Sequence, residues 1–211
     1  LPVGKLICAS NRNDVLTDFI RTGVYDRNRA FHTTMSPSMD ILISSNLERL
    51  LFDLSGGNDE LVREYMGRLA ETGRYEITPG MKKRLQEVFY GGFCGEEETK
   101  STIEMLYQYG YLIDTHTAVA AKVLTDYRHE TGDKTPAVFV STASPYKFGD
   151  SVLGAIGETP AEDSLERIAQ MERVTGVRAP ARLAGLKGKE IRFRDVTEKE
   201  LMEEKVLEFL R

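Results

Sequence analysis

Two short runs of the chain combine residue types that can hold an anion. Ser10-Asn11-Arg12-Asn13-Asp14 follows the apolar run Lys5 to Ser10, which reads as a short buried strand. Ser141 to Lys147 follows Ala137-Val138-Phe139-Val140-Ser141, which reads as a second buried strand. In open α/β sheets, ligands bind beyond the carboxyl ends of strands. Each run leads into a helix start, where free backbone N–H groups and the helix dipole favour anions. Asn, Asp, Ser and Thr at such places are also ordinary capping residues, so residue type alone leaves both uses open. Neither run is a glycine-rich phosphate loop.

Three further pairings carry candidate chemistry. Asn46 and Arg49 are three apart, so on a helix they point the same way. An amide beside a guanidinium suits a phosphate or a carboxylate, while a solvated face shared with Glu48 is the plainer reading. Lys147 suits an anion near a helix start or a simply exposed position. Asp114 and His116 read as an acid–base pair or as a helix-capping loop. His32 and His129 have no evident partner, and Tyr65, Phe89 and Tyr127, at helical spacing, read as core.

The elements that must position these residues follow from periodicity and punctuation. Val15 to Thr22 reads as a helix, with Val15, Leu16, Phe19 and Ile20 pairing at helical spacing and Gly23 as its stop. Residues 24–38 read as irregular, and Met39 to Ser45 is ambiguous between strand and helix. Asn46 to Leu54 and Asp59 to Glu71 each place apolar residues on one side. Thr78-Pro79 opens a helix to Tyr90, Glu96 to Tyr109 forms another, and Asp114 or Thr115 caps Thr117 to Glu130. Ser144 and Pro145 open one helix and Thr159-Pro160 another, to about Val174. Residues 176–188 read as a loose connector, and Thr197 with Glu200 as a capping box for a last helix to Arg211.

Composition bounds the partners. The 211 residues hold 28 Lys and Arg against 33 Asp and Glu, a net charge of −5. That balance argues against nucleic acid, which wants a basic face. No apolar run approaches the roughly 20 residues of a membrane span, so no membrane partner is expected. Cys8 and Cys94 form no disulfide framework, and no CxxC or HExxH spacing suggests a metal. The expected setting is a reducing cytoplasm. Two clear strands and one doubtful strand among about eight helices are few for a buried parallel sheet. The expected fold is therefore α/β and helix-rich with an incomplete parallel sheet. The abrupt opening run, Leu1 to Ser10, fits a chain that starts partway through a larger one. An apolar face left uncovered would favour self-association.

Four motifs carry a family resemblance. Residues 10–25 read SNRNDVLTDFIRTGVY, and residues 33–54 read TTMSPSMDILISSNLERLLFDL. Residues 113–120 read IDTHTAVA, and 141–148 read STASPYKF. In this order they resemble the threonine synthases, with the likeness weakest after about Gly176. That family is of the tryptophan-synthase-β fold type (fold type II), uses pyridoxal 5′-phosphate (PLP), and converts O-phosphohomoserine and water to L-threonine and phosphate. Phosphate leaves from Cγ and water adds at Cβ. The resemblance implies the C-terminal portion of such an enzyme, because the SFKD-type segment with the Schiff-base lysine and the GNFG-type loop that cradles the PLP phosphate are absent. No catalytic lysine is assigned here, and the segment alone is expected to be inactive and not to hold PLP.

The resemblance assigns roles position by position. Thr142 matches the hydroxyl that meets the PLP ring nitrogen. Asn46 and Arg49 match positions that hold the substrate phosphate. Lys147 shares the motif of Thr142. Asn11, Asn13 and Asp14 match residues that shape the cleft. Ser144 stands where TAHPAKF has His, so any role of that His does not carry over. The implied organisation is 1–55 as the end of the cleft segment, 56–175 as a helical region with the STASPYKF unit, and 176–211 as connector and final helix. The implied partners are O-phosphohomoserine and the N-terminal portion of the same enzyme. Two other readings remain: a related phospho-lyase with a different product, and a non-catalytic module that binds a phosphorylated metabolite.

Overall fold

Residues 2–210 are described by a computed structural model. The chain opens with β1 (Leu6–Ser10) and α1 (Val15–Thr22), whose Val15, Phe19 and Ile20 are buried along one face. Gly23 ends α1 at φ 80°, a left-handed turn that glycine adopts without strain. Then come β2 (Val24–Asp26), α2 (Leu47–Leu54) and α3 (Asp59–Thr72), the last capped by the Asn58 side chain on the Leu61 amide. β3 (Arg74–Glu76), α4 (Pro79–Val88) and β4 (Phe89–Phe93) follow, with Thr78 capping α4 and Pro79 at its first position. α5 (Glu96–Gln108) and α6 (Thr115–Thr131) precede α7 (Gly149–Ala155), α8 (Ser164–Thr175), α9 (Ala181–Ala184) and α10 (Met202–Phe209).

β1 and β4 form a parallel pair, registered from Leu6 against Phe89 to Ser10 against Phe93. β2 and β3 form a short antiparallel ribbon with Tyr25 opposite Tyr75. The fold is thus helix-rich α/β with a small parallel sheet, as the sequence implies. Two apolar cores hold it. One joins α1 to α4 with the ribbon, around Phe19, Leu51, Met81 and Leu85, all buried. Inside it, the rings of Tyr25 and Tyr75 stack at 5.3 Å, and Phe19 meets both edge-on at 5.8 and 6.0 Å. The other joins α5 to α8 around Ile103, Leu153 and Met171. Among the described residues no helix is long and apolar enough to cross a membrane.

Several expected elements come out differently. Residues 24–38 include β2, whose three residues are too few to show a period. The helix expected to run to Tyr90 ends at Val88, and the Gly91-Gly92 expected to break it lies inside β4. A Cβ on Gly91 would stand 3.1 Å from the Thr17 backbone of α1, and one on Gly92 would stand 2.5 Å from Cγ1 of Val123 in α6. The pair is glycine because two helices close on opposite faces of this strand. Met39 to Ser45 forms neither helix nor strand past the 3-10 turn Pro37–Met39.

The expected buried strand 137–141 does not form. The segment joins no ladder among the described residues, with Val138 90% and Val140 84% exposed. A strand needs a neighbour for its amides and carbonyls. Ser144 does open a helical turn, but it is the 3-10 turn Pro145–Phe148, which precedes α7. α8 begins five residues later than the Thr159 signal, because the Asp163 carboxylate caps the amides of Leu165 and Glu166, each at 2.9 Å. The Thr197–Glu200 box is not made among the described residues. Glu198 instead precedes a 3-10 turn, Lys199–Leu201, before α10. Arg211, the expected end of that helix, lies outside the described residues.

Candidate functional site

The junction after β1 is built by two buried amides. Asn11 is 1% exposed and its Nδ2 donates to Thr34 Oγ1 at 2.7 Å, Ser36 Oγ at 3.0 Å and Asp40 Oδ1 at 2.8 Å. Its Oδ1 accepts from the Asn13 amide at 2.9 Å. Asn13 brackets His32, donating to its carbonyl at 2.8 Å and accepting from its amide at 2.9 Å. Asp40 also takes Thr34 Oγ1 at 2.7 Å and the Thr34 amide at 2.9 Å. These side chains therefore pin the 32–40 loop to the end of β1, and their polar atoms are committed there. Asp14 sits at the start of α1 and is paired with Arg29 Nη1 at 2.8 Å.

The residues with uncommitted groups lie elsewhere. Asn46 stands at the start of α2 but makes no capping bond with its side chain, and it is exposed. Arg49, one turn on, is exposed and meets no carboxylate among the described residues. Thr142 is exposed, and its hydroxyl has no hydrogen-bond partner among the described residues. Lys147 is exposed on the Pro145–Phe148 turn. Ser144 accepts from the Tyr146 amide at 3.4 Å. Among the described residues no hydrogen bond joins Asn46 or Arg49 to Thr142 or Lys147. The uncommitted groups are thus two cations, an amide and a neutral hydroxyl. Cations and an amide are types that can hold an anion, and among the described residues no cluster of three or more His, Cys, Asp or Glu could hold a metal ion.

Asp114 resolves the two uses left open for it toward capping, with more besides. It is 1% exposed, and its Oδ1 accepts from the amides of His116 at 2.9 Å and Thr117 at 3.4 Å. Burial alone would raise its carboxyl pKa, but the bonds from His116, Thr117 and the two amides outweigh that and hold it below the usual carboxylate value. His116 Nδ1 lies 3.1 Å from the same oxygen, and its Nε2 accepts from the Ser38 amide at 3.1 Å. Sequence reasoning missed Asp40 and Arg29 altogether. Asp40 reaches Asn11 and Asn13, 29 and 27 residues earlier, and Arg29 reaches Asp14, 15 residues earlier, spans that no local pattern shows.

A helix-rich α/β fold with a small parallel sheet and several uncommitted polar groups is the class this geometry defines. The comparisons narrow it. Residues 117–206 match the family described as threonine synthase, C-terminal. The chain is 43% identical over 159 residues to human threonine synthase-like 1, covering 74% of this chain and 21% of that protein. It is 40% identical over 165 residues to threonine synthase of Methylobacillus glycogenes, covering 76% and 34% respectively. The crystal structure of PLP-bound threonine synthase from Brucella melitensis superposes with a TM-score of 0.82 at 34% identity, over 100% of this chain and 41% of that one. Yeast threonine synthase gives 0.82 at 30% identity, over 100% and 43%. The chain is thus similar in sequence to threonine synthases, its residues 117–206 to their C-terminal part, and it spans 21% and 34% of the length of these two curated relatives.

Proposed function

We propose that this chain is the C-terminal part of a PLP-dependent threonine synthase, which converts O-phosphohomoserine and water to L-threonine and phosphate. The observation that carries the reading is that Asn46, Arg49 and Thr142, three motif residues, are exposed with uncommitted polar groups. Beside them, Asn11, Asn13 and Asp14 spend theirs on the scaffold. PLP, when bound, supplies an electron sink that the protein's side chains lack. The Thr142 hydroxyl would be the group that holds the ring nitrogen, with a neutral hydrogen bond in place of a carboxylate's charge. Asn46 and Arg49 hold the substrate phosphate, and the Arg49 charge stabilises it as it departs from Cγ. Lys147 adds a second cation near the same cleft. Asn11, Asn13 and Asp14 shape the cleft wall through the 32–40 loop and Arg29.

The Schiff-base lysine and the loop for the cofactor phosphate come, in this reading, from the rest of the enzyme. The bare 137–141 segment supports that arrangement, since its exposed valines suit a strand supplied by the remainder of the fold. The segment alone is then inactive, and the cytoplasm is its expected compartment. The 43% identity to a threonine synthase-like protein favours one second reading, a related phospho-lyase with another product. Product analysis separates the two.

Thr142→Val in the full-length enzyme tests the cofactor assignment. Losing one hydrogen bond to the ring should weaken PLP binding by about tenfold and shift its absorbance, with Thr142→Ser restoring both. An unchanged spectrum in the valine variant removes Thr142 from the cofactor.

A further inference from the structure

We propose that Asp114 and His116 are a positioning pair that locks the Ser36–Met39 turn to the Ser141–Ser144 loop, and so sets where Thr142 stands. The inference rests on the reading of Thr142 above only for its catalytic consequence; the lock itself stands on geometry.

A helix cap needs one acceptor for one or two amides. Asp114 does more than that. Besides the amides of His116 and Thr117, its carboxylate takes His116 Nδ1 at 3.1 Å, the Thr117 hydroxyl, and Ser141 Oγ at 3.4 Å. Thr117 Oγ1 and Ser141 Oγ are themselves 2.8 Å apart. The residue directly before Thr142 is therefore tethered at its side chain to the start of α6, in a stretch with no ladder of its own.

The other arm is His116. A backbone amide can only donate, so the Ser38 N–H at 3.1 Å makes Nε2 the lone-pair nitrogen. The ring proton then sits on Nδ1 and points at Asp114 Oδ1. The Phe148 ring lies 4.7 Å from the imidazole, centroid to centroid, and holds its plane. Phe148 belongs to the same motif as Thr142. Ser38 belongs to the loop that Asn11 and Asn13 pin through Asp40. One polar path thus runs from the end of β1, through Ser38, His116, Asp114 and Thr117, to Ser141. It joins residues 78 apart at one step and 27 apart at another. One imidazole and one carboxylate thus tie the Ser141 loop to the 3-10 turn at Pro37–Met39.

The test uses the full-length enzyme and reads the lock directly. His116→Leu should speed hydrogen exchange at the Ser38 amide by about tenfold, while His116→Gln, whose Oε1 can accept the same N–H, should leave it protected. Asp114→Asn keeps a competent cap, yet weakens the hold on Thr117 Oγ1 and Ser141 Oγ, and should shift the PLP absorbance in the direction given by Thr142→Val. His116→Leu should also shift the PLP absorbance in the direction given by Thr142→Val. Unchanged Ser38 exchange in His116→Leu overturns the lock. Faster exchange with an unmoved PLP band overturns its role in placing Thr142. If His116→Leu does not fold, nitrogen NMR of the wild-type imidazole decides: an Nδ1–H tautomer supports the pair and an Nε2–H tautomer overturns it. Should the wild-type protein bind no PLP, the proposed function falls, while the exchange measurements still judge the lock.

Discussion

In the full-length enzyme proposed above, replacing Arg49 with alanine should raise the KM for O-phosphohomoserine about ten- to a hundredfold and leave the PLP absorbance unchanged. The size follows from losing a charge-assisted hydrogen bond, about 1.5–3 kcal/mol. Arg49 lies one turn into α2, exposed, with no carboxylate partner among the described residues, and Asn46 stands at the start of the same helix. The free amides of that helix start add to the pull on an anion. Arg49→Lys keeps the charge but loses the planar fork, so its KM should fall between wild type and alanine. The competing reading is a solvated face shared with Glu48. It predicts that steady-state kinetics do not change, and unchanged kinetics would remove Arg49 from the phosphate site.

Phe19→Ala should destabilise the protein by about 3–5 kcal/mol, the usual result of emptying a buried aromatic site. Phe19 is fully buried and meets Tyr25 and Tyr75 edge-on at 5.8 and 6.0 Å. The two tyrosines are clamped opposite each other in the β2–β3 ribbon, so the cavity cannot easily collapse. Thermal unfolding should report a fall of roughly 6–20 °C for a chain of this size. Tyr109, 82% exposed, is the control, and its alanine variant should stay within about 0.5 kcal/mol of wild type. A Phe19 variant as stable as the Tyr109 variant would contradict the assigned core.

What the sequence discloses depends on the reach of the interaction. α1, α3 and α6 are legible because apolar spacing, a capping residue and a closing glycine all lie within one segment: Asp114 before α6, and Gly132 after it at φ 71°. β2 and β3 are three residues each, too short for any period. β4 hides behind Gly91 and Gly92, which read as a break until α1 and α6 are seen pressing on them. The 137–141 run has strand composition, yet composition does not supply a neighbouring strand, and Val138 and Val140 are left exposed. The candidate site divides in the same way. Asn46, Arg49 and Thr142 stand out by residue type and motif. Asp40's bonds to Asn11 and Asn13 and His116's bond to Ser38 span 27 to 78 residues, which only the folded chain brings within hydrogen-bond distance.

The most direct measurement supplies the full-length enzyme with O-phosphohomoserine and PLP and counts both products. The account predicts phosphate and L-threonine in equal amounts. Phosphate without threonine would assign the chain to a different phospho-lyase, and no phosphate release at all would contradict the proposed function.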